Sequence, residues 1–173
     1  MDLASEVDQA LQDLATMGKP VVAGVQGAVA GAGLAVMLSA DLVLAAESMR
    51  FLTAYAGVGL TPDCGLSWLL PRAIGSQRAL ELALTGRVLT AAESHAWGLI
   101  TTVVPDDELA QQSRAVVVRL AAAPPFAMGQ ARRLIRQSWT STRAETGADE
   151  ARTIAHAATT TEAQQLIGQF LAR

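Results

Sequence analysis

Two short stretches hold the residues best able to do chemistry. The first is Gly27-Ala28-Val29-Ala30-Gly31-Ala32-Gly33, set between an apolar run and a helical pattern. Small residues let the main chain approach a ligand closely, and N–H groups at a helix start point toward developing negative charge. The stretch reads either as an anion site or as close packing of helix on strand. The second holds Asp63, the sole carboxylate between Glu47 and Glu81, with Leu60, Trp68 and Leu69 near it in sequence. Apolar surroundings disfavour a charged carboxylate and bring it into the range useful for proton transfer. A Pro-Asp pair in a turn also serves as a plain turn residue or helix cap, and both readings stay open.

Other candidates lead less far. Gly31-Ala32-Gly33-Leu34-Ala35-Val36 imitates part of a dinucleotide fingerprint, but the third glycine is absent and Glu47 comes too early for a ribose contact. His95 and His156 sit in helical patterns without ligand-spaced partners, so no metal is expected. Cys64 has no nearby His or Lys to make it a thiolate. Arg132, Arg133 and Arg136 read as a solvated helix face, with phosphate binding the rarer option.

Composition narrows the class. Of 173 residues, 51% are apolar and 17% charged, which fits a packed α-rich globule rather than a disordered chain. A net charge of −3 offers no basic surface, so nucleic acid is not an expected partner. A single cysteine excludes an intramolecular disulfide and points to a reducing, cytoplasmic setting. No charge occurs between Lys19 and Asp41, yet Pro20, Gln26, Gly24, Gly27, Gly31 and Gly33 break that stretch, so no membrane span is expected.

The elements that must position these residues follow from periodicity. Residues 2 to 17 form an amphipathic helix pattern through Leu3, Val7, Ala10, Leu11 and Leu14, with Gly18 as its cap. Residues 21–25 read as a buried strand, 27–33 as a glycine-rich turn, 34–40 as a helix, and 42–45 and 49–52 as short strands. A short helix through Trp68 is interrupted by Pro71, and a further helix runs from Ser76 to Leu84 and ends at Gly86. Thr90 and Glu93 form a capping box, and 99–104 is a further strand. Beyond Pro105 the pattern is helical only, over 106–122, 126–139, 144–158 and 161–172, which predicts a boundary there.

The run from Lys19 through Gly33 to Ala40-Asp41 resembles the second oxyanion motif of the crotonase (enoyl-CoA hydratase/isomerase) superfamily. Gly59-Leu60-Thr61-Pro62-Asp63-Cys64-Gly65, Trp68-Leu69-Leu70-Pro71-Arg72, Leu84-Thr85-Gly86 and Ala96-Trp97-Gly98-Leu99-Ile100 are similar to further motifs of that family, and the set covers nearly the whole chain. The Pro62-to-Gly65 and Trp68-to-Arg72 wording most resembles the ring-epoxide (1,2-epoxyphenylacetyl-CoA) isomerases.

The resemblance implies an α/β, crotonase-like (ClpP/crotonase) spiral of strand-strand-helix turns over 1–105, incomplete at its N-terminus. A helical region over 106–173 would serve assembly as a homotrimer or dimer of trimers. It implies an acyl-CoA substrate, with coenzyme A as the substrate's own carrier and no separate cofactor. It also implies a thioester oxygen held by two backbone N–H groups, one matched by Ala32 between Gly31 and Gly33. Ala35 and Tyr55 stand where the family's hydratases carry glutamates, and neither transfers protons as a carboxylate does. Asp63 aligns instead with the acid that the isomerases and a related dehalogenase employ. The implied activity is acyl-CoA isomerisation through an enolate; the alternatives are a non-catalytic shortened subunit and a hydratase without its usual glutamates. The family's missing front segment would supply the other oxyanion N–H, and losing one such donor costs about 100- to 1000-fold in rate. Weak acyl-CoA binding, and slow turnover or none, are therefore expected of these residues alone.

Overall fold

The computed structural model describes residues 3–172 and divides into two units, Met1–Ala15 with Val21–Arg119, and Thr16–Pro20 with Leu120–Arg173. In the first unit α1 (Leu3–Thr16) turns Val7 and Leu11 toward the apolar core, while Asp8–Gln12 and Gln9–Asp13 pair one turn apart on its wet side. Leu3 and Ala10 stay exposed, so only part of the expected stripe is used. Gly18 does not take the left-handed conformation of the expected cap.

Two strand-strand-helix turns follow. The first is β1 (Val22–Val25), β2 (Ala28–Ala30) and α2 (Ala32–Ser39); the second is β3 (Leu42–Ala46), β4 (Arg50–Leu52) and α3 (Leu66–Ile74). The first strand of each turn enters one sheet and the second strand enters the other. β1 pairs in parallel with β3, Val22 opposite Leu42, and β2 in parallel with β4, Ala28 opposite Arg50. Then come α4 (Ser76–Thr85), β5 (Leu89–Thr90), α5 (Ala91–Trp97) and β6 (Thr102–Val104), which complete the sheet orders β1-β3-β6 and β2-β4-β5. Asp41 fastens one turn to the next, its carboxylate accepting from Val21 N–H at 2.7 Å. The core between the layers holds Leu34, Met37, Met49, Phe51, Leu66, Leu82 and Leu89, all fully buried.

The structure corrects several expectations. The glycine-rich stretch contains a strand, β2, because alternating Val29 is buried and pairs with Phe51. The strand expected from residue 99 starts only at Thr102, since Leu99 N–H is taken by Ser94 O at the end of α5. Pro71 does not interrupt its helix: α3 continues to Ile74, and Gly75 N–H donates to Pro71 O at 2.9 Å. The Thr90–Glu93 capping box forms as read. No strand follows Val104 among the described residues, yet the first unit runs on to Arg119 rather than ending at Pro105. The reason is α6 (Leu109–Ala121), whose Leu109 joins Leu44 and Val104 in a second apolar cluster and whose Ser113 lies against Gly24.

The second unit contains α7 (Pro125–Gln137), α8 (Arg143–Ala158) and α9 (Thr161–Leu171). Its arginines are not a solvated face. Arg132 is 8% exposed and donates to Met17 O at 2.5 Å, and Arg133 bonds Asp149 at 2.6 Å. Gly129 on α7 lets Gly18 approach, because a Cβ there would lie 2.5 Å from Gly18 O, whereas a Cβ at Gly147 on α8 would meet nothing within 4 Å. Gly129→Ala is expected to destabilise the protein by about 1–3 kcal/mol through overpacking. Gly147→Ala is expected to stabilise it by about 0.5–1 kcal/mol by relieving helix-interior backbone entropy. Urea unfolding of the two variants checks the opposite signs, and a shared sign contradicts the packing described.

Candidate functional site

The start of α2 is built by Gly31, whose φ of 55° and ψ of −134° lie where L side chains rarely go. A Cβ at Gly31 would meet nothing within 4 Å, so backbone conformation, not space, demands glycine. No side chain caps this helix. The first-turn amides, Ala32 and Gly33 among them, have no carbonyl one turn earlier within the helix and are aimed outward along its axis. Ala32 is half-buried and Gly33 exposed, while Leu34, Ala35 and Met37 anchor the helix in the core. Ala35 is fully buried, its carbonyl accepting from Ser39 Oγ at 2.8 Å.

The second part is the loop between β4 and α3. Thr53 is buried and donates to Leu82 O at 2.8 Å, which ties the loop's base to α4. Ala54 has a φ of 60°, and Tyr55 N–H returns to Thr53 O at 2.8 Å, making a tight three-residue turn. The chain then passes through a single 3-10 turn, Ala56–Val58, with Leu60 N–H bonded to Tyr55 O at 2.9 Å. The Tyr55 side chain, 8% exposed, donates its hydroxyl to Asp63 Oδ1 at 2.6 Å. Cys64 follows with a φ of 51°, and Asp63 O accepts from Leu66 N–H at 2.9 Å to start α3.

Asp63 takes the turn position expected of a Pro-Asp pair, its carbonyl accepting from Leu66 N–H, but its side chain does not cap α3. Leu60 and Trp68 are largely exposed, so the carboxylate is half-buried rather than sealed in apolar surroundings, and no side chain caps α3. Its partner is a phenol. Burial, then the hydrogen bond to Asp63 and its charge, push the Tyr55 hydroxyl well above the ordinary phenol value. Burial and the Asp63 charge likewise raise the Cys64 thiol, which keeps it a poor nucleophile.

Asp63 lines a cleft of about 420 Å³ with Ala4, Ser5 and Asp8 of α1 and Pro62 and Trp68 of its own segment. Of the expected site residues, Asp63 alone lines it among the described residues; Ala32 opens a helix that packs against α3, and Ala35 belongs to the core. A second, mostly apolar cavity of about 370 Å³ lies between α3 and α4 and shares Pro62, Leu66 and Ser67 with the first. The described residues include no group of three or more His, Cys, Asp or Glu fit for a metal, and no helix long and apolar enough to cross a membrane. What the sequence reading missed is the pairing of Tyr55 with Asp63. The available signal was that Tyr55 is the chain's one tyrosine, placed just before the Asp63 turn.

The whole chain, residues 1–173, matches the enoyl-CoA hydratase/isomerase family. It is 43% identical over 129 residues to the 1,2-epoxyphenylacetyl-CoA isomerase of Escherichia coli (strain K12), which is 75% of this chain and 49% of that protein. Among solved structures it is similar to an enoyl-CoA hydratase/isomerase from Cupriavidus metallidurans CH34, with a TM-score of 0.92 and 37% identity over 98% of this chain and 64% of the other. An enoyl-CoA hydratase from Polaromonas sp. JS666 gives a TM-score of 0.93 and 30% identity over 97% and 65%. The chain thus spans about half the length of that curated relative and under two thirds of these solved chains. The likeness extends to the crotonase-type fold and to the helical C-terminal region.

Because Tyr55 is the single tyrosine, tyrosinate absorbance reports on it alone. Its ionisation is expected well above the ordinary value of about 10, and Asp63→Asn is expected to bring it down by removing the facing charge. The folded-state value is raised above the unfolded one, so this group's contribution to stability is complete below pH ~10 and is lost as pH rises through the folded value. A native titration centred near pH 10 contradicts the contact.

Proposed function

Since the chain belongs to the enoyl-CoA hydratase/isomerase family, we propose that it carries the proton-moving half of an acyl-CoA isomerase site. Asp63 is the acid/base, and the Ala32 N–H holds the enolate oxygen. The observation that carries this reading is the Asp63 carboxylate, held through Oδ1 on the Tyr55 hydroxyl in a residue that lines an open cleft. With a 3-enoyl thioester, the carboxylate takes a proton from C2 and the electron pair moves onto the thioester oxygen. Main-chain N–H groups at the start of α2 stabilise that charge, Gly31 and Gly33 leaving room for the thioester. That proton, directly or after exchange with solvent on the carboxyl group, is delivered from Asp63 to C4, giving the 2-enoyl thioester and restoring the carboxylate.

Water addition is disfavoured by the same residues. Ala35 is sealed in the core and Tyr55 spends its hydroxyl on Asp63, so neither supplies a second carboxylate to activate water. Coenzyme A enters as part of the substrate. Assembly as a trimer or dimer of trimers is part of the proposal: α9 leaves Leu166, Ile167, Phe170 and Leu171 exposed, Phe170 by 75%, an apolar face that association would cover.

Asp63→Asn keeps an oxygen that can accept from Tyr55, so folding and acyl-CoA affinity should persist while conversion of a 3-enoyl-CoA falls about 100-fold or more. The rise of conjugated-thioester absorbance in the full-length protein measures it, and near-normal turnover refutes the role. Light scattering is expected to give a mass of three or six chains at micromolar concentration; a stable monomer there excludes the assembly.

A further inference from the structure

Backbone strain in the first unit is concentrated at one hydrogen bond. Among the described residues, only Ala54 and Cys64 are non-glycine residues with positive φ, at 60° and 51°. Ala54 directly precedes Tyr55 and Cys64 directly follows Asp63, so each partner of the 2.6 Å contact has one strained neighbour. Left-handed conformations at such residues persist only where the surroundings over-determine them, and they cluster where geometry serves function. The surroundings here are identifiable: Thr53 is tied to Leu82 O, Tyr55 is 8% exposed, and Cys64 is buried with its thiol directed at Ala4 O, 3.8 Å away.

The contact also divides the work of the carboxylate. Oδ1 accepts the Tyr55 hydroxyl, which leaves Oδ2 as the oxygen that the phenol does not hold, and the adjacent Cys64 thiol also interacts with the carboxylate. A carboxylate on a two-bond side chain otherwise rotates and presents either oxygen at varying angles. Bonding one oxygen to a buried phenol fixes the plane of the group and leaves the other as the proton carrier.

On the reading of Asp63 as acid/base, we propose that Tyr55 is a positioning residue. Its hydroxyl locks the Asp63 carboxylate so that Oδ2 alone faces the substrate, and the strained turns at Ala54 and Cys64 set the two side chains at that separation. Tyr55 occupies the place of a catalytic carboxylate in related hydratases by resemblance, yet here it acts through another acid.

Tyr55→Phe removes the hydroxyl and keeps the ring. In the full-length protein assayed with a 3-enoyl-CoA, kcat should fall about 10-fold or more, the scale of a lost hydrogen bond to a charged group. KM should change less than about 2-fold, because uniform binding is untouched. Added to Asp63→Asn, Tyr55→Phe should cost nothing further, since there is no longer a carboxylate to orient. A normal kcat for Tyr55→Phe, or a loss that multiplies fully with that of Asp63→Asn, overturns the positioning role. The acid/base reading is judged separately: it survives either result if Asp63→Asn is inactive and falls if that variant turns over normally.

Discussion

The contact between the Tyr55 hydroxyl and the Asp63 carboxylate organises everything near the candidate site. It closes the loop from β4 to α3, holds one of the two carboxylate oxygens, and lies between two left-handed residues that a looser loop would let relax. A short, charge-assisted hydrogen bond in a half-buried setting is stronger than a neutral one and sets direction as well as distance. Its effect on the phenol is to hold the proton there, so the Tyr55 hydroxyl remains a neutral donor.

That contact depends on the layers beneath it. The parallel pairing of β2 with β4 places the end of one strand-strand-helix turn beside the end of the next, from which α2 and the Tyr55 loop start. Phe51, fully buried, and Thr53, bonded to α4, fix where the loop leaves the sheet. Leu34 and Met37 fix α2 so that its uncapped start is held rigidly. The apolar core thus holds the start of α2 and the Tyr55–Asp63 loop rigidly in place.

Much of this was legible in the residues. The alternation of short apolar runs with helical stretches yields the layer order, and the motif wording from Lys19 to Asp41 and from Gly59 to Arg72 identifies the family that the whole chain matches. The strand β2 was hidden because three residues between glycines carry too little periodicity to separate a strand from a turn. Arg132 was misread as solvated because its partner is a main-chain carbonyl at Met17, far away in sequence and carrying no charge to signal it. Tyr55 was hidden for a similar reason. Residue type alone cannot say that a phenol eight positions before an acid folds back onto it, since the reversal depends on a left-handed alanine at position 54.

The central claim is that the start of α2 and the Tyr55–Asp63 loop address one acyl thioester together. A crystal structure of the full-length protein with an unreactive, saturated acyl-CoA thioester bound would test it most directly. The account predicts the carbonyl oxygen about 2.7–3.1 Å from Ala32 N and Asp63 Oδ2 about 3–3.5 Å from the carbon beside the carbonyl, with Oδ1 still on Tyr55. A carbonyl bound away from Ala32, or an acyl chain that leaves Asp63 Oδ2 facing solvent, would contradict it.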